Sequence, residues 1–284
     1  MNYKESTIRT PAKLNIRLKV VGQRPDGYHE IVSIMVPVNL YDFIQLKIIQ
    51  SRGIRLIHEG FAVPTDERNL AFRAALLFFS KTKIDNGLII NLEKKIPVGA
   101  GLGGGSSDAA SVLKALNTFY SNPLTQAELY NLAVSLGADV PFFLECKPSI
   151  ATGIGDILEP IERWPILNYL IVTPPINIST SWAYENLRLE LTKDEYIYIC
   201  NALNYEPIPI SHILENDLEK VTSVSFPIVE TLKKILLDAG AEGVLMSGSG
   251  PSVFGVFSSH DLAKTSEEEL KAMNMGNVVL AVGI

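Results

Sequence analysis

Cysteine is almost missing from this chain: two in 284 residues, Cys146 and Cys200. They lie far apart and show no metal-ligand spacing. A disulfide framework and a zinc module are both excluded, and the two read as reduced packing residues of a cytoplasmic protein. Histidine is scarce as well. His29, His58, His212 and His260 make no ligand spacing with one another, so no metal site held by protein side chains alone is expected. Surplus positive charge is also missing. There are 25 Lys and Arg against 31 Asp and Glu, a formal net charge of −6. That removes any general pull toward nucleic acid or an anionic membrane, and a polyanionic ligand must be held by local devices. Long apolar runs are missing too. The longest charge-free stretches, Trp164–Tyr184 and Gly243–Ser259, are interrupted by proline, glycine or asparagine, and neither reads as a membrane span. Met1–Asn15 is polar and lacks the apolar core of a secretory signal.

What is present is ordinary globular composition, 47% hydrophobic and 20% charged, in a chain long for one core. Two domains sharing a cleft are expected. Proline and tryptophan break the pattern near Pro160–Pro165, which puts the division at 1–163 and 164–284.

Lys13–Val20 alternates, with Leu14, Ile16, Leu18 and Val20 on one face and Lys13, Asn15, Arg17 and Lys19 on the other. That predicts a half-buried strand. A turn at Gly22–Gly27 follows, then strands at Ile31–Val38, Phe43–Ile49 and Ile54–His58. Asn69–Phe79 has helical spacing, and Leu88–Leu92 alternates again. Thr125 and Glu128 form a capping box for a helix that Gly137 closes. Tyr169–Thr173 reads as a buried strand, Ser179-Thr180 as a cap for a helix through Leu187, and Pro227–Ala239 as a helix. Val244–Met246 and Val253–Phe257 flank a glycine-serine loop. A helix near Glu267–Met273 and a strand at Val278–Val282 close the chain. Strands and helices mix without regular β-α-β alternation, which predicts an α+β fold.

Between the strand ending near Pro97 and the next helix, seven positions carry five glycines, Gly99-Ala-Gly-Leu-Gly-Gly-Gly105. Glycine tolerates positive φ and lets backbone approach a ligand closely, and a helix start behind it offers free N–H groups and the positive dipole end. This is a phosphate cradle. A dinucleotide fold needs an acidic residue at the end of a second strand roughly 20 positions on, where this chain has a helix cap. A Walker loop needs Gly-Lys-Ser/Thr, and Gly105 is followed by Ser106. A plain flexible turn rarely needs this much glycine before a capped helix. What remains is a phosphate loop whose lysine comes from elsewhere.

Pro97-Val-Gly-Ala-Gly-Leu-Gly-Gly-Gly-Ser-Ser-Asp-Ala-Ala110 resembles the second motif of the GHMP kinases, in the longer glycine form of the diphosphocytidyl-methylerythritol kinases. Pro11-Ala-Lys-Leu-Asn15 resembles the first motif and Met246-Ser-Gly-Ser-Gly-Pro251 the third. Arg24-Pro-Asp-Gly-Tyr-His29, Gly137-Ala-Asp-Val-Pro-Phe142 and Asn216-Asp-Leu-Glu219 match between them. The matches run in chain order from residue 11 to residue 251, and that order carries the resemblance.

The resemblance implies a two-domain GHMP kinase fold with the active site in the cleft between the halves. Asp139, on its own a turn aspartate, takes the place of the family's base for the substrate hydroxyl. Lys13, on its own a solvent-facing strand lysine, takes the place of the family lysine beside that aspartate, where its charge supports phosphoryl transfer. Pro97, Gly99, Ala100, Gly101, Leu102, Gly103, Gly104, Gly105, Ser106 and Ser107 would hold ATP phosphates. Ser106 and Ser107 are equally good helix caps, and one hydroxyl could touch Mg²⁺. Asn69 and Leu70 border the adenine or simply begin a helix. Asn15, Thr180, Gly248, Ser249 and Gly250 would face substrate, with Tyr28, His29 and Tyr184 at a cytidine pocket. Two departures stand out. Arg17 replaces a usually apolar or aromatic residue, and the segment between Thr192 and Ile213 shows no motif that can be placed.

The implied reaction is ATP- and Mg²⁺-dependent phosphorylation of 4-diphosphocytidyl-2-C-methyl-D-erythritol in non-mevalonate isoprenoid synthesis. A homodimer is left open as the assembly. Other readings are a GHMP kinase for homoserine, mevalonate or a sugar, which would not be expected to carry Arg-Pro-Asp-Gly-Tyr-His, or an inactive nucleotide-binding protein.

Overall fold

The computed structural model describes residues 6–187 and 194–284. Contacts divide the chain into two compact units that interleave along the sequence. The first unit comprises the chain up to Ala12, Leu40–Val98 and Gly103–Cys146; the second comprises Lys13–Asn39, Gly99–Leu102 and Lys147–Ile284.

Strands β1 (Ser6–Gln23) and β2 (His29–Ile49) supply residues to both units. The first unit adds β3 (Ile54–Gly60), α1 (Leu70–Thr82), β4 (Gly87–Lys94), α2 (Gly104–Phe119), α3 (Gln126–Leu136) and α4 (Phe142–Glu145). Strand β4 runs antiparallel to Phe43–Ile49 of β2 and parallel to β3. Helices α1 and α2 pack through small residues. Ala71, Ala74 and Ala75 on one and Ala109 and Ala110 on the other are buried, with Phe78, Leu113 and Leu116 filling the space around them. The Thr125 capping box is formed in both directions, so α3 starts where the sequence places it.

The second unit contains β5 (Ser149–Thr152), β6 (Ile157–Pro160), β7 (Asn168–Thr173), α5 (Thr180–Glu185), α6 (Glu195–Leu203), α7 (Ile210–Ile213), β8 (Glu215–Asn216), α8 (Asp217–Ser225), α9 (Ile228–Asp238), β9 (Gly243–Met246), β10 (Val253–Phe257), α10 (His260–Ala272) and β11 (Asn277–Val282). Its antiparallel sheet has the order β11-β7-β10-β9, and α9 and α10 pack on it. Leu170, Val172, Val229, Leu232, Leu236, Phe257 and Leu270 form the core of that contact. No helix among the described residues is long and apolar enough to cross a membrane.

The mixed architecture is the α+β arrangement expected, and three local readings need correcting. Strand β1 is not half-buried. Lys13, Asn15, Arg17 and Lys19 are 3–5% exposed, as hidden as the apolar face. For Arg17 and Lys19 the reason is neutralisation. Arg17 pairs with Glu195 at the start of α6 and, at 2.8 Å, with Glu215, while Lys19 pairs with Glu215 at 2.7 Å and Asp217 at 2.9 Å. The segments Ile31–Val38 and Phe43–Ile49 are one continuous strand. Asp42, between the two, turns its carboxylate inward to accept from the N–H groups of Lys95 and Ile96 at 2.6 and 2.7 Å. The last helix starts at His260, not near Glu267, capped by Ser259. Its buried stripe is Ala263, Ser266 and Leu270, and a serine in the middle of the stripe hides the periodicity. Thr192, at the edge of the unplaced segment, lies outside the described residues. Lys193 lies outside them too, and the described remainder contains α6 and α7.

Candidate active site

The second unit brings together pieces of all three motifs. Gly99 and Gly101 have φ of 65° and 74°, so this part of the loop needs glycine. A Cβ at Gly101 would sit 2.0 Å from the Ser247 carbonyl oxygen, so the glycine loop and the loop between β9 and β10 touch backbone to backbone. Hydrogen bonds lock the contact. Lys13 N–H donates to Leu102 C=O at 2.9 Å, Ser247 Oγ to Gly101 C=O at 3.0 Å, and Ser252 N–H to Ala100 C=O at 3.3 Å. Asn15 N–H donates to Ser247 Oγ at 3.2 Å. The Asn15 side chain accepts from Lys13 Nζ and lies so near Gly248 that a Cβ there would be 3.2 Å from its Oδ1. Asn216 Nδ2 donates to the carbonyls of Met246 and Gly248 at 2.8 and 2.7 Å and so fixes the third motif from behind. Thr180 Oγ1 bonds Ser249 Oγ at 2.9 Å.

The aromatic residues are arranged differently from the expected pair of tyrosines. The ring stacked on Tyr184 is His29, with centroids 5.0 Å apart and planes 23° apart, while Tyr28 is 60% exposed. A 5.0 Å gap holds no base between the rings.

The first unit holds the rest of the glycine motif. Gly103 is the N-cap of α2 at φ 70°, ψ 11°, with no side-chain cap. This corrects the reading of Ser106 and Ser107 as caps, since both already lie in the first turn. The first rung of the helix ladder is Ser107 N–H to Gly103 C=O at 2.9 Å. The N–H groups of Gly104, Gly105 and Ser106 therefore precede the ladder and point out of the helix end. Gly105 is exposed and Ser106 half-buried, whereas Ser107 is fully buried and its Oγ makes no hydrogen bond. Leu70 borders this end, its Cδ1 3.8 Å from where a Gly105 Cβ would be. Asn69 caps α1, accepting from Ala71 N–H at 2.9 Å, and donates to Pro64 C=O at 3.0 Å. Its amide is thus committed to the fold. Pro97 is buried. Asp139 is half-buried in the turn after α3, where Val140 N–H donates to Gly137 C=O at 3.1 Å.

Beneath the start of α2 lies a buried ionic cluster that sequence motifs do not reveal. Lys94 Nζ bonds Asp42 and, at 3.0 Å, Asp108, and Thr10 Oγ1 donates to Asp108 at 2.7 Å. A Cβ on Gly104 would meet the Lys94 ammonium at 2.8 Å. Burial opposes the charge on Lys94, but Asp108 and Asp42 outweigh it and raise its pKa. Burial pushes Asp108 up to about 6; Asp42 adds to this, while Lys94 and Thr10 oppose it. Asp108 belongs to the glycine motif itself, but nothing in the sequence pairs it with Lys94 or Asp42.

Known proteins share this architecture. Residues 69–147 match the family described as GHMP kinases N terminal domain, and residues 202–274 match GHMP kinases C terminal. The chain is 46% identical over 262 residues to the 4-diphosphocytidyl-2-C-methyl-D-erythritol kinase of Syntrophotalea carbinolica, covering 92% of this chain and 93% of that protein. The enzyme of the same name from Citrifermentans bemidjiense is 46% identical over 270 residues, covering 94% and 95%. The chain belongs to the 4-diphosphocytidyl-2-C-methyl-D-erythritol kinases of the GHMP superfamily. A crystal structure of 4-(cytidine 5'-diphospho)-2C-methyl-D-erythritol kinase superposes with a TM-score of 0.81 at 35% identity, covering 98% of this chain and 99% of the other. A homoserine kinase from Cytophaga hutchinsonii reaches 0.75 at 21% identity, covering 99% and 94%, and shows the shared fold alone. Arg17 has a structural role in this chain. Its guanidinium neutralises Glu195 and Glu215, donates to Ile213 C=O at 3.0 Å and lies 4.7 Å from the Tyr198 ring centroid.

Proposed function

We propose that this kinase transfers the γ-phosphoryl group of ATP to the 2-hydroxyl of 4-diphosphocytidyl-2-C-methyl-D-erythritol, giving ADP and the 2-phosphate in the non-mevalonate route to isoprenoid precursors. The observation that carries the reading is the interlock of Lys13 and Asn15 with the glycine loop and the Ser247–Gly250 loop, in a chain 46% identical to kinases of that name. The linear division at 1–163 and 164–284 is kept as a proposal about the two family halves; the N-terminal and C-terminal family matches fall on either side of it.

Each group has a role that its surroundings support. The N–H groups of Gly104, Gly105 and Ser106, at the positive end of α2, receive phosphate oxygens, with Gly99–Gly103 bringing backbone close. Leu70 offers an apolar edge for the adenine. Asp139 accepts the substrate hydroxyl proton as the oxygen attacks phosphorus, and the Lys13 ammonium offsets charge building on the transferring group. Lys13 is held by Asn15 Oδ1, which removes part of the reorganisation the step would need. Thr180, Ser249 and Asn15 present hydroxyl and amide groups to the acceptor. Tyr28 and Tyr184 stack on the pyrimidine and His29 reads its edge, which requires His29 to leave the face of Tyr184 that it now covers.

The residues fit a magnesium–nucleotide complex. Among the described residues no three His, Cys, Asp or Glu side chains gather to hold an ion by themselves, so most ligands must come from phosphate and water. The partnerless Ser107 Oγ and the half-buried Ser106 are the hard oxygen donors at the helix start. When bound, Mg²⁺ neutralises phosphate charge. A cytoplasmic location, where ATP is supplied, agrees with two free cysteines.

The test is Asp139→Asn. Turnover should fall roughly a hundredfold while the ATP dissociation constant stays within twofold, because a proton acceptor is lost and no phosphate contact is. Near-normal turnover removes Asp139 from the role.

A further inference from the structure

We infer that Ser33 is a positioning residue for the reaction, holding the Asn15 amide in the one orientation that anchors the Lys13 ammonium. This rests on the roles proposed above for Lys13 and Asn15. Ser33 lies on β2, fully buried, between two groups of β1. Its Oγ donates to the Arg17 carbonyl at 2.6 Å, and Asn15 Nδ2 donates to the same Oγ at 2.9 Å. A hydroxyl has one proton and two acceptor sites. With the proton committed to the carbonyl, Ser33 can only accept from Asn15, so the NH₂ end of the amide must face Ser33. The carbonyl end then faces Lys13 Nζ, the bond observed. The order is therefore Arg17 C=O, Ser33 O–H, Asn15 NH₂, Asn15 C=O, Lys13 ammonium, each group giving the next a single choice.

The far end of this relay is fixed. Arg17 pairs with Glu215 in the parallel register of β1 and β8, and its side chain is held by Glu195, Glu215 and Ile213 C=O. The carbonyl that orients Ser33 therefore has little freedom. The near end is crowded, since a Cβ on Gly248 would already be 3.2 Å from Asn15 Oδ1. Without the Ser33 hydroxyl the amide can flip. Its NH₂ would then face an ammonium, which repels it and shifts the charge away from the reacting phosphoryl group.

The experiment compares wild type with Ser33→Ala and Ser33→Thr in steady-state ADP release, with both substrates varied, alongside ATP binding by calorimetry and the thermal midpoint. Ser33→Ala is expected to lower kcat tenfold or more, with KM for the acceptor and Kd for ATP within twofold, and Ser33→Thr to restore at least a third of the wild-type rate. A kcat within twofold of wild type in Ser33→Ala overturns the relay. So does a loss of kcat matched by equal losses in ATP affinity and thermal midpoint, because that is the signature of a merely structural role. The ratio is read on whichever alcohol the wild type phosphorylates. A wild type inactive on the cytidyl alcohol but active on another counts against the functional proposal, and the ratio on the accepted alcohol still decides the role of Ser33.

Discussion

Gly101→Ala perturbs the contact on which the glycine loop depends. The new Cβ would be 2.0 Å from the Ser247 carbonyl oxygen, against a floor near 3.0 Å for real contacts, so the backbone must yield by about an ångström. Alanine at φ 74° also adds about 1–2 kcal/mol of left-handed strain. Yielding strains three bonds, from Ser247 Oγ, Lys13 N–H and Ser252 N–H, each contributing about 0.5–1.5 kcal/mol. Losing two of them together with the strain comes to about 2–5 kcal/mol. With an unfolding entropy of about 2.1 cal/mol/K per residue, a chain of this length loses about 3–8 °C in Tm. Because the loop also leads into the helix end, ATP affinity should drop at least tenfold. Gly105→Ala is the control. Its φ is ordinary, its Cβ would meet only Leu70 at 3.8 Å, and alanine in a helix is worth about 0.5–1 kcal/mol. Tm should hold or rise, while ATP binding weakens if phosphates approach that exposed glycine. Differential scanning calorimetry and ATP titration read both variants. Gly101→Ala with wild-type Tm and wild-type ATP affinity would refute the close-contact reasoning.

Asp108→Asn should change the pH dependence of stability. A carboxyl held at about 6 in the fold takes up an extra proton between about pH 4 and 6, so its contribution falls as pH rises through that window. The variant should gain Tm relative to wild type from pH 5 to pH 7.5, and a constant difference across that range would contradict the assignment. Arg17→Met leaves Glu195 buried and unpaired and should cost about 3–5 kcal/mol in denaturant unfolding, whereas Arg17→Met with Glu195→Met should recover most of it. An uncorrected double variant would show that the pair is not the cause. Tyr28→Ala and Tyr184→Ala should each raise KM for the cytidyl substrate about tenfold, a stacking contact being worth about 1–3 kcal/mol, with KM for ATP unchanged. An effect on ATP instead would misplace the pyrimidine.

The sequence made the chemistry legible where residue type and spacing are forced. Five glycines before a helix, Thr125 with Glu128, and Val244–Met246 facing Val253–Phe257 each permit few structures, and each element formed. Legibility failed where polar residues do interior work. Arg17 and Lys19 read as a wet face because alternation cannot show that Glu195, Glu215 and Asp217, some 200 positions away, will cover them. Ser33 has no motif at all, and its significance lies in one hydroxyl that donates to Arg17 C=O and accepts from Asn15 Nδ2, a set that only the folded strands bring together. The stack of His29 on Tyr184 was equally hidden, since the sequence of adjacent Tyr28 and His29 cannot say which ring turns inward.

The central claim is the identity of the acceptor. Purified kinase with Mg-ATP should be assayed for ADP release on 4-diphosphocytidyl-2-C-methyl-D-erythritol, its uridyl analogue, homoserine, mevalonate and a sugar, with the phosphorylated product identified by mass and phosphorus NMR. The account predicts stoichiometric ADP release and a 2-phosphate with the cytidyl alcohol, far slower turnover with the uridyl analogue, and background rates with the others. Faster phosphorylation of homoserine, mevalonate or the sugar, or no acceptor-dependent ADP at all, would contradict it.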